Sequence, residues 1–214
     1  TEAAVANLAA ERVAGEVHRV GDVMADVSLA FAPIAERRSD VLERIGLEPG
    51  GYVAATAHRA GNVDDPERLE RLVALLEAVP ATVVLPLHPR TAARLDATGL
   101  RARLGSAPNV VLAPPLGYLD FTKLAANARA VLTDSGGVQK EAFLLGVPCV
   151  TLRDTTEWVE TVDAGWNTLV DLDAGAAVAA LERPRPEGER PDLYGAGRAA
   201  ERVCDVLDAY TPSR

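Results

Sequence analysis

The sequence predicts an α/β fold with a doubly wound parallel sheet, and three observations carry that reading. Short apolar segments alternate with longer segments of helical periodicity along most of the 214 residues. The segments read as strands, such as Val53-Ala54-Ala55 and Val83-Val84-Leu85, are apolar throughout, as strands covered by helices on both faces are. Finally, His58, His88 and Ser135 each fall just past the carboxyl end of a predicted strand, the edge at which open α/β sheets bind ligands. The chain holds three histidines, so two of them ending strands in this way weighs more than any single motif.

Taken in order, Ala3 to Ala14 reads as a helix with Val5, Leu8, Ala9 and Val13 on one side. Val17 to Val20 reads as a short strand and Gly21-Asp22 as a turn. A long helix follows from about Val23 to Ile45, with Pro33 marking a kink or restart. After Gly50-Gly51, Tyr52 to Ala57 is a strand ending at His58-Arg59. Asp64, Asp65 and Pro66 open a helix whose Leu69, Leu72, Val73 and Leu76 face the core. Thr82 to Leu87 is a strand ending at His88-Pro89-Arg90; a helix from Thr91 to Thr98 and the strand Val110 to Ala113 follow. Pro114, Pro115 and Gly117 form a loop before the helix Leu119 to Ala126. The strand Val131 to Thr133, the helix after Ser135 and the strand Cys149 to Leu152 come next. Arg153 to Gly165 is long for a βα connection, which marks a functional loop. Trp166 to Val170 is the last strand, Ala174 to Leu181 a helix, Arg183 to Pro191 a surface segment and Gly197 to Ala209 a closing helix. The layout is entry helices over 3–46, a core over 50–182 and a closing helix within 195–210, one unit spanning 1–214.

Composition bounds the function. With 48% hydrophobic and 25% charged residues the chain has an ordinary globular composition. A net charge of −9 argues against a nucleic-acid or anionic-membrane partner, since both need clustered Lys and Arg. No apolar stretch approaches the ~18 residues of a membrane-spanning helix, and no signal-peptide pattern opens the chain. Cys149 and Cys204 read as isolated core thiols of a reducing compartment. The first residue is Thr inside a helical pattern, as in an excised piece of a longer chain.

The stretch Thr133-Asp134-Ser135-Gly136-Gly137-Val138-Gln139-Lys140-Glu141 joins a buried strand to an amphipathic helix with Val138, Ala142 and Leu145 on its apolar stripe. Ser135 is a favoured N-cap, whose hydroxyl can satisfy a free N–H of the first turn. Gly136 and Gly137 let an anion approach unpaired amides at the positive end of the helix dipole. Glu141, one turn below Gly137, can accept hydrogen bonds from sugar hydroxyls. An ordinary capped helix with a solvated Glu fits the same residues. His58-Arg59 pairs an imidazole that titrates near neutral pH with a fixed cation suited to phosphate, or else caps a strand end. His88 is either a ligand contact or a structural side chain locked by Pro89.

Asp134 to Glu141, with Leu145-Gly146-Val147-Pro148 and Leu152-Arg153-Asp154-Thr155-Thr156-Glu157, resembles the signature of the non-hydrolysing UDP-N-acetylglucosamine 2-epimerases. Those are two-domain enzymes of the GT-B fold that interconvert UDP-GlcNAc and UDP-ManNAc. The resemblance covers the family's C-terminal, UDP-binding half, so the implied fold here is a Rossmann-like domain with the N-terminal catalytic domain missing. His58-Arg59-Ala60-Gly61-Asn62 is similar to a family His-Arg-x-x-Asn motif, which implies that His58 contacts the diphosphate and takes a catalytic part. Gly61 departs from the family's usual Glu, which puts activation by a second UDP-GlcNAc in doubt. Pro115 to Phe121 resembles the uracil-holding loop, with Phe121 near the base and Leu116 where many relatives have Gln. Trp158 stands where the family usually has a nucleotide-binding Arg, and that role is not carried over to it; the Trp-Val-Glu-Thr form resembles a subgroup. The resemblance thus implies UDP binding by His58, Arg59, Phe121, Ser135, Gly136, Gly137 and Glu141, with His88, Arg153, Asp154 and Thr155 as further candidates. It implies no cofactor and no metal, a cytoplasmic homodimer serving cell-surface polysaccharide biosynthesis, and no activity of this chain alone. Two other readings use the same residues: the donor-binding half of a GT-B glycosyltransferase, and a non-catalytic nucleotide-sugar binding module.

Overall fold

The computed structural model describes residues 1–210. In chain order the elements are α1 (Glu2–Ala10), α2 (Val23–Arg38), α3 (Val41–Ile45), β1 (Tyr52–Thr56), α4 (Ala60–Val63) and α5 (Pro66–Ala78). They continue with β2 (Thr82–Pro86), α6 (Pro89–Thr98), α7 (Leu100–Ser106), β3 (Val110–Ala113), α8 (Tyr118–Ala126) and β4 (Ala130–Thr133). The chain then forms α9 (Gly136–Leu145), β5 (Cys149–Thr151), α10 (Val159–Asp163), β6 (Asn167–Leu169), α11 (Ala174–Leu181) and α12 (Ala199–Ala209).

The six strands form one parallel sheet in the order β3-β2-β1-β4-β5-β6. This is the order of a Rossmann-type sheet, in which the chain grows outward from β1 and then restarts on its other side. The restart leaves a crevice between the carboxyl ends of β1 and β4, whose final residues Thr56 and Thr133 are in register and share a hydroxyl–hydroxyl hydrogen bond of 2.6 Å.

Both faces of the sheet are buried, and each strand serves both through its alternation. Val53 and Ala55 pack with Val83, Leu85 and Leu132 against α5 and α11 on one face. Tyr52 and Ala54 pack with Val84, Val131 and Cys149 against α3, α8 and α9 on the other. Two buried faces account for the continuously apolar strands. A smaller cluster of Ala25, Phe143, Leu144, Trp166 and Tyr194 ties α2 and α9 to the segment before α12.

The structure revises several expectations at the ends of the chain. Val17 to Val20 is not a strand: β3 and β6 are the sheet's edges, and this segment pairs with neither. The helix expected over Val23 to Ile45 breaks at Ser39-Asp40 and not at Pro33, which α2 accommodates internally. Cys149 is buried, and its thiol pKa is pushed up to about 12 by that burial. Cys204 is exposed and is not a core thiol, because it lies on the outer face of α12.

Candidate functional site

The crevice is built on Asp134, which is fully buried between β4 and α9. Its carboxylate accepts the backbone N–H groups of His58 (3.0 Å) and Arg59 (2.9 Å) and the side-chain amide of Asn62 (3.2 Å). Asn62 donates in turn to the carbonyl of Leu152 (2.9 Å) and accepts from Arg68, which is itself paired with Asp171. The loop after β1 is therefore held against the loops after β4 and β5 by one buried carboxylate. A buried carboxylate with several N–H donors is well compensated, and its loss leaves those donors unpaired. Sequence reading missed Asp134 as a site residue, because its partners lie more than 70 positions away.

Two cavities open along this edge. The first, of about 200 Å³, is lined by Thr56, Ala57, His58, His88, Leu116, Phe121 and Val138 among others, and is mostly apolar. The rings of His58 and His88 stack across it with centroids 5.1 Å apart and planes at 30°. His88 also caps α6, its Nδ1 accepting the Arg90 N–H at 3.2 Å, so the structural and the site roles coexist in one side chain. The second cavity, of about 390 Å³, is polar and lined by Arg59, Gly61, Asn62, Arg68, Arg153, Asp154, Thr155 and Asp171.

The first turn of α9 lies at this edge as well. The N–H groups of Gly136, Gly137 and Val138 donate to no acceptor among the described residues, as the opening of a helix leaves them. Ser135 occupies the N-cap position, yet its hydroxyl makes no capping bond; its backbone N–H donates to Thr133 Oγ1 at 3.0 Å. Packing is tight at Gly136 and ordinary at Gly137. A Cβ on Gly136 would meet Trp158 Nε1 at 3.2 Å, Glu157 Oε2 at 3.4 Å and Arg59 Nη2 at 3.5 Å; one on Gly137 would meet Met24 at 3.6 Å.

Charge is concentrated beside Gly136. Arg153 donates bidentately to Glu157 at 2.8 and 2.9 Å, and Arg59 stands 4.0 Å from the same carboxylate. The Arg153 hydrogen bonds hold the Glu157 carboxyl at a pKa of about 2, with help from the charge of Arg59. Below the first turn, the buried Lys140 pairs with Asp22 and lies 3.8 Å from the centre of the Trp158 ring. Glu141 lines neither cavity. It sits between α2, α8 and α9 with Ser28, Tyr118 and Phe121, and burial raises its pKa while a hydrogen bond from Tyr118 opposes the shift. Of the candidates, the structure thus gathers His58, His88 and Phe121 around one cavity and Arg59, Arg153, Asp154 and Thr155 around another. Ser135, Gly136 and Gly137 lie beside Arg59, while Glu141 stands one layer back.

A parallel sheet with an amide-rich crevice flanked by arginines and carboxylates at its switch point defines a Rossmann-like α/β domain, as in one half of a GT-B architecture. The chain belongs to the UDP-N-acetylglucosamine 2-epimerase family, whose model matches residues 1–208. It is 38% identical over 209 residues to a UDP-N-acetylglucosamine 2-epimerase homolog of Methanococcus maripaludis, covering 97% of this chain and 58% of that protein. It is 44% identical over 206 residues to the UDP-2,3-diacetamido-2,3-dideoxy-D-glucuronate 2-epimerase of Pseudomonas aeruginosa, covering 92% and 54%. The crystal structure of Methanocaldococcus jannaschii UDP-GlcNAc 2-epimerase in complex with UDP-GlcNAc and UDP superposes with a TM-score of 0.87 at 36% identity, covering 98% of this chain and 60% of that one. The chain therefore spans between half and three fifths of the length of these relatives.

Proposed function

We propose that this chain is the UDP-binding half of an epimerase that interconverts UDP-GlcNAc and UDP-ManNAc. The diphosphate sits on the free amides of α9 beside Arg59 and His58, and the uracil enters the apolar cavity against Phe121. The observation that carries this reading is the meeting, at one switch point, of an unpaired helix N-terminus, the Arg59 guanidinium, the His58 imidazole and an apolar slot. The relatives support the nucleotide: the solved archaeal homologue binds UDP-GlcNAc and UDP.

In the proposed reaction a base removes the C2 proton of the sugar as the C1–O bond breaks, releasing UDP and leaving 2-acetamidoglucal. UDP then re-adds at C1 as C2 is protonated from the opposite face. This chain's part is to stabilise charge on the departing diphosphate, which preorganised N–H donors and cations do at little reorganisation cost. The carboxylates that move the proton come from the other half of the enzyme, as the resemblance implies; His58 and Arg59 face the leaving group. A second reading of the sugar, not of the nucleotide, is favoured by the Pseudomonas relative, 44% identical, whose name gives a UDP-linked uronate with a second acetamido group.

Crystals soaked with UDP test the assignment. Expected is diphosphate density over Gly136 and Gly137 with the base between His58, His88 and Phe121. Density elsewhere would overturn the reading. Incubating the enzyme that contains this chain with UDP-GlcNAc and with the diacetamido-uronate, in D₂O, separates the two sugars by which one gains deuterium at C2.

A further inference from the structure

Trp158 stands where the family resemblance leads one to expect a guanidinium, and its surroundings give it a role of its own. Its indole Nε1 is buried and donates to nothing among the described residues. The nitrogen lies 3.2 Å from the position a Cβ would take on Gly136, so this unpaired N–H lies beside the unpaired amides at the start of α9. The ring is fixed from two sides: Lys140 lies 3.8 Å from its centre, and the backbone N–H of Trp158 donates to Thr156 Oγ1 at 3.0 Å. The same Cβ position on Gly136 comes within 3.4 Å of Glu157 Oε2 and 3.5 Å of Arg59 Nη2, so a ligand oxygen reaching Nε1 displaces the Glu157 carboxylate that Arg153 holds there. An unpaired buried N–H is costly unless some state of the protein supplies its acceptor.

We infer that Trp158 is a ligand-binding residue whose indole N–H donates to an oxygen of the bound diphosphate, in the place that the Glu157 carboxylate flanks. The inference rests on the diphosphate position proposed above. The donor is neutral, and the Lys140 ammonium that lies over its ring is paired with Asp22. Trp158 adds direction and no charge to the site, since an indole offers a single fixed donor where a guanidinium offers a fork.

The protein contains two tryptophans, so its ¹H–¹⁵N spectrum has two indole resonances to follow. Saturation with pyrophosphate, and separately with UDP, is expected to move one of them downfield, while Trp166, packed on Phe143, stays in place. In calorimetry Trp158→Phe keeps the ring and removes the donor; it is expected to weaken both ligands roughly tenfold, the order of one hydrogen bond to a charged group. A purely structural Trp158 gives the opposite result: bound UDP with both indole signals unmoved, or Trp158→Phe affinity equal to wild type. Either outcome overturns the inference. If the wild-type protein binds neither ligand, the diphosphate position itself fails and this assignment falls with it.

Discussion

At the scale of single residues, the crevice is held by groups that never reach a ligand. Asp134 accepts from two backbone amides and one side-chain amide while fully buried. Asp134→Ala is expected to destabilise the protein by about 3 kcal/mol, because three donors lose their acceptor in a dry setting. Urea unfolding checks this as a lowered midpoint at unchanged slope. Glu141 gives the converse case. Its pKa is raised by burial above the ordinary value of 4.5, so the ionised form is disfavoured in the fold. That cost is absent below the ordinary carboxylate range and present in full once pH exceeds the raised value. Glu141→Gln is therefore expected to raise the melting temperature at pH 7 to 8 and to lose this advantage as pH falls toward 4. An advantage that persists at pH 4 would show the carboxyl not to be strained. If Glu141 reaches the ribose, Glu141→Ala weakens UDP more than pyrophosphate in calorimetry; equal losses count against that role.

At the scale of elements, two distant segments cross closely at Gly21 and Gly195. A Cβ on Gly21 would stand 2.7 Å from the Tyr194 carbonyl oxygen, and its φ of +99° disfavours any side chain. The Tyr194 carbonyl accepts the Asp22 N–H at 2.9 Å, and Asp22 both caps α2 and pairs with Lys140. Gly21→Ala is thus expected to cost about 2–4 kcal/mol, from backbone strain and a backbone clash together. Because that shift would also move Asp22 and Lys140 under Trp158, tryptophan fluorescence should change along with the melting temperature.

Elements also show which local signals suffice. Asp65 followed by Pro66 marks the start of α5, and the structure places Asp65 as its cap with Pro66 as the first helical residue. The span of α11, Ala174–Leu181, agrees with the expectation to the residue. By contrast α4, α7 and α10 are one or two turns long, too short for periodicity to reveal, and are fixed by the loops that they bridge. Ser135 satisfies the sequence rule for an N-cap without its hydroxyl making the bond.

At the scale of the whole molecule, the proposed site should couple to stability. A ligand bound only to the folded state, at a hundred times its dissociation constant, adds about 2.7 kcal/mol. UDP is expected to raise the melting temperature of this chain, and pyrophosphate to do so less, since it leaves the apolar cavity unfilled. No shift with UDP at millimolar concentration would argue against the site.

What the sequence alone determined was the alternation of buried strands with amphipathic helices, the sheet edge that carries His58, His88 and Ser135, and the family. Each of these is written in short runs of neighbouring residues. The tertiary structure decided what those runs cannot hold: that Asp134 and Asn62 together join the loops after β1, β4 and β5, that Trp158 crowds the glycine at 136, and that Glu141 lines neither cavity at the sheet edge. These depend on contacts between residues far apart in the chain, where side-chain packing and desolvation choose the partners and local propensity has no vote.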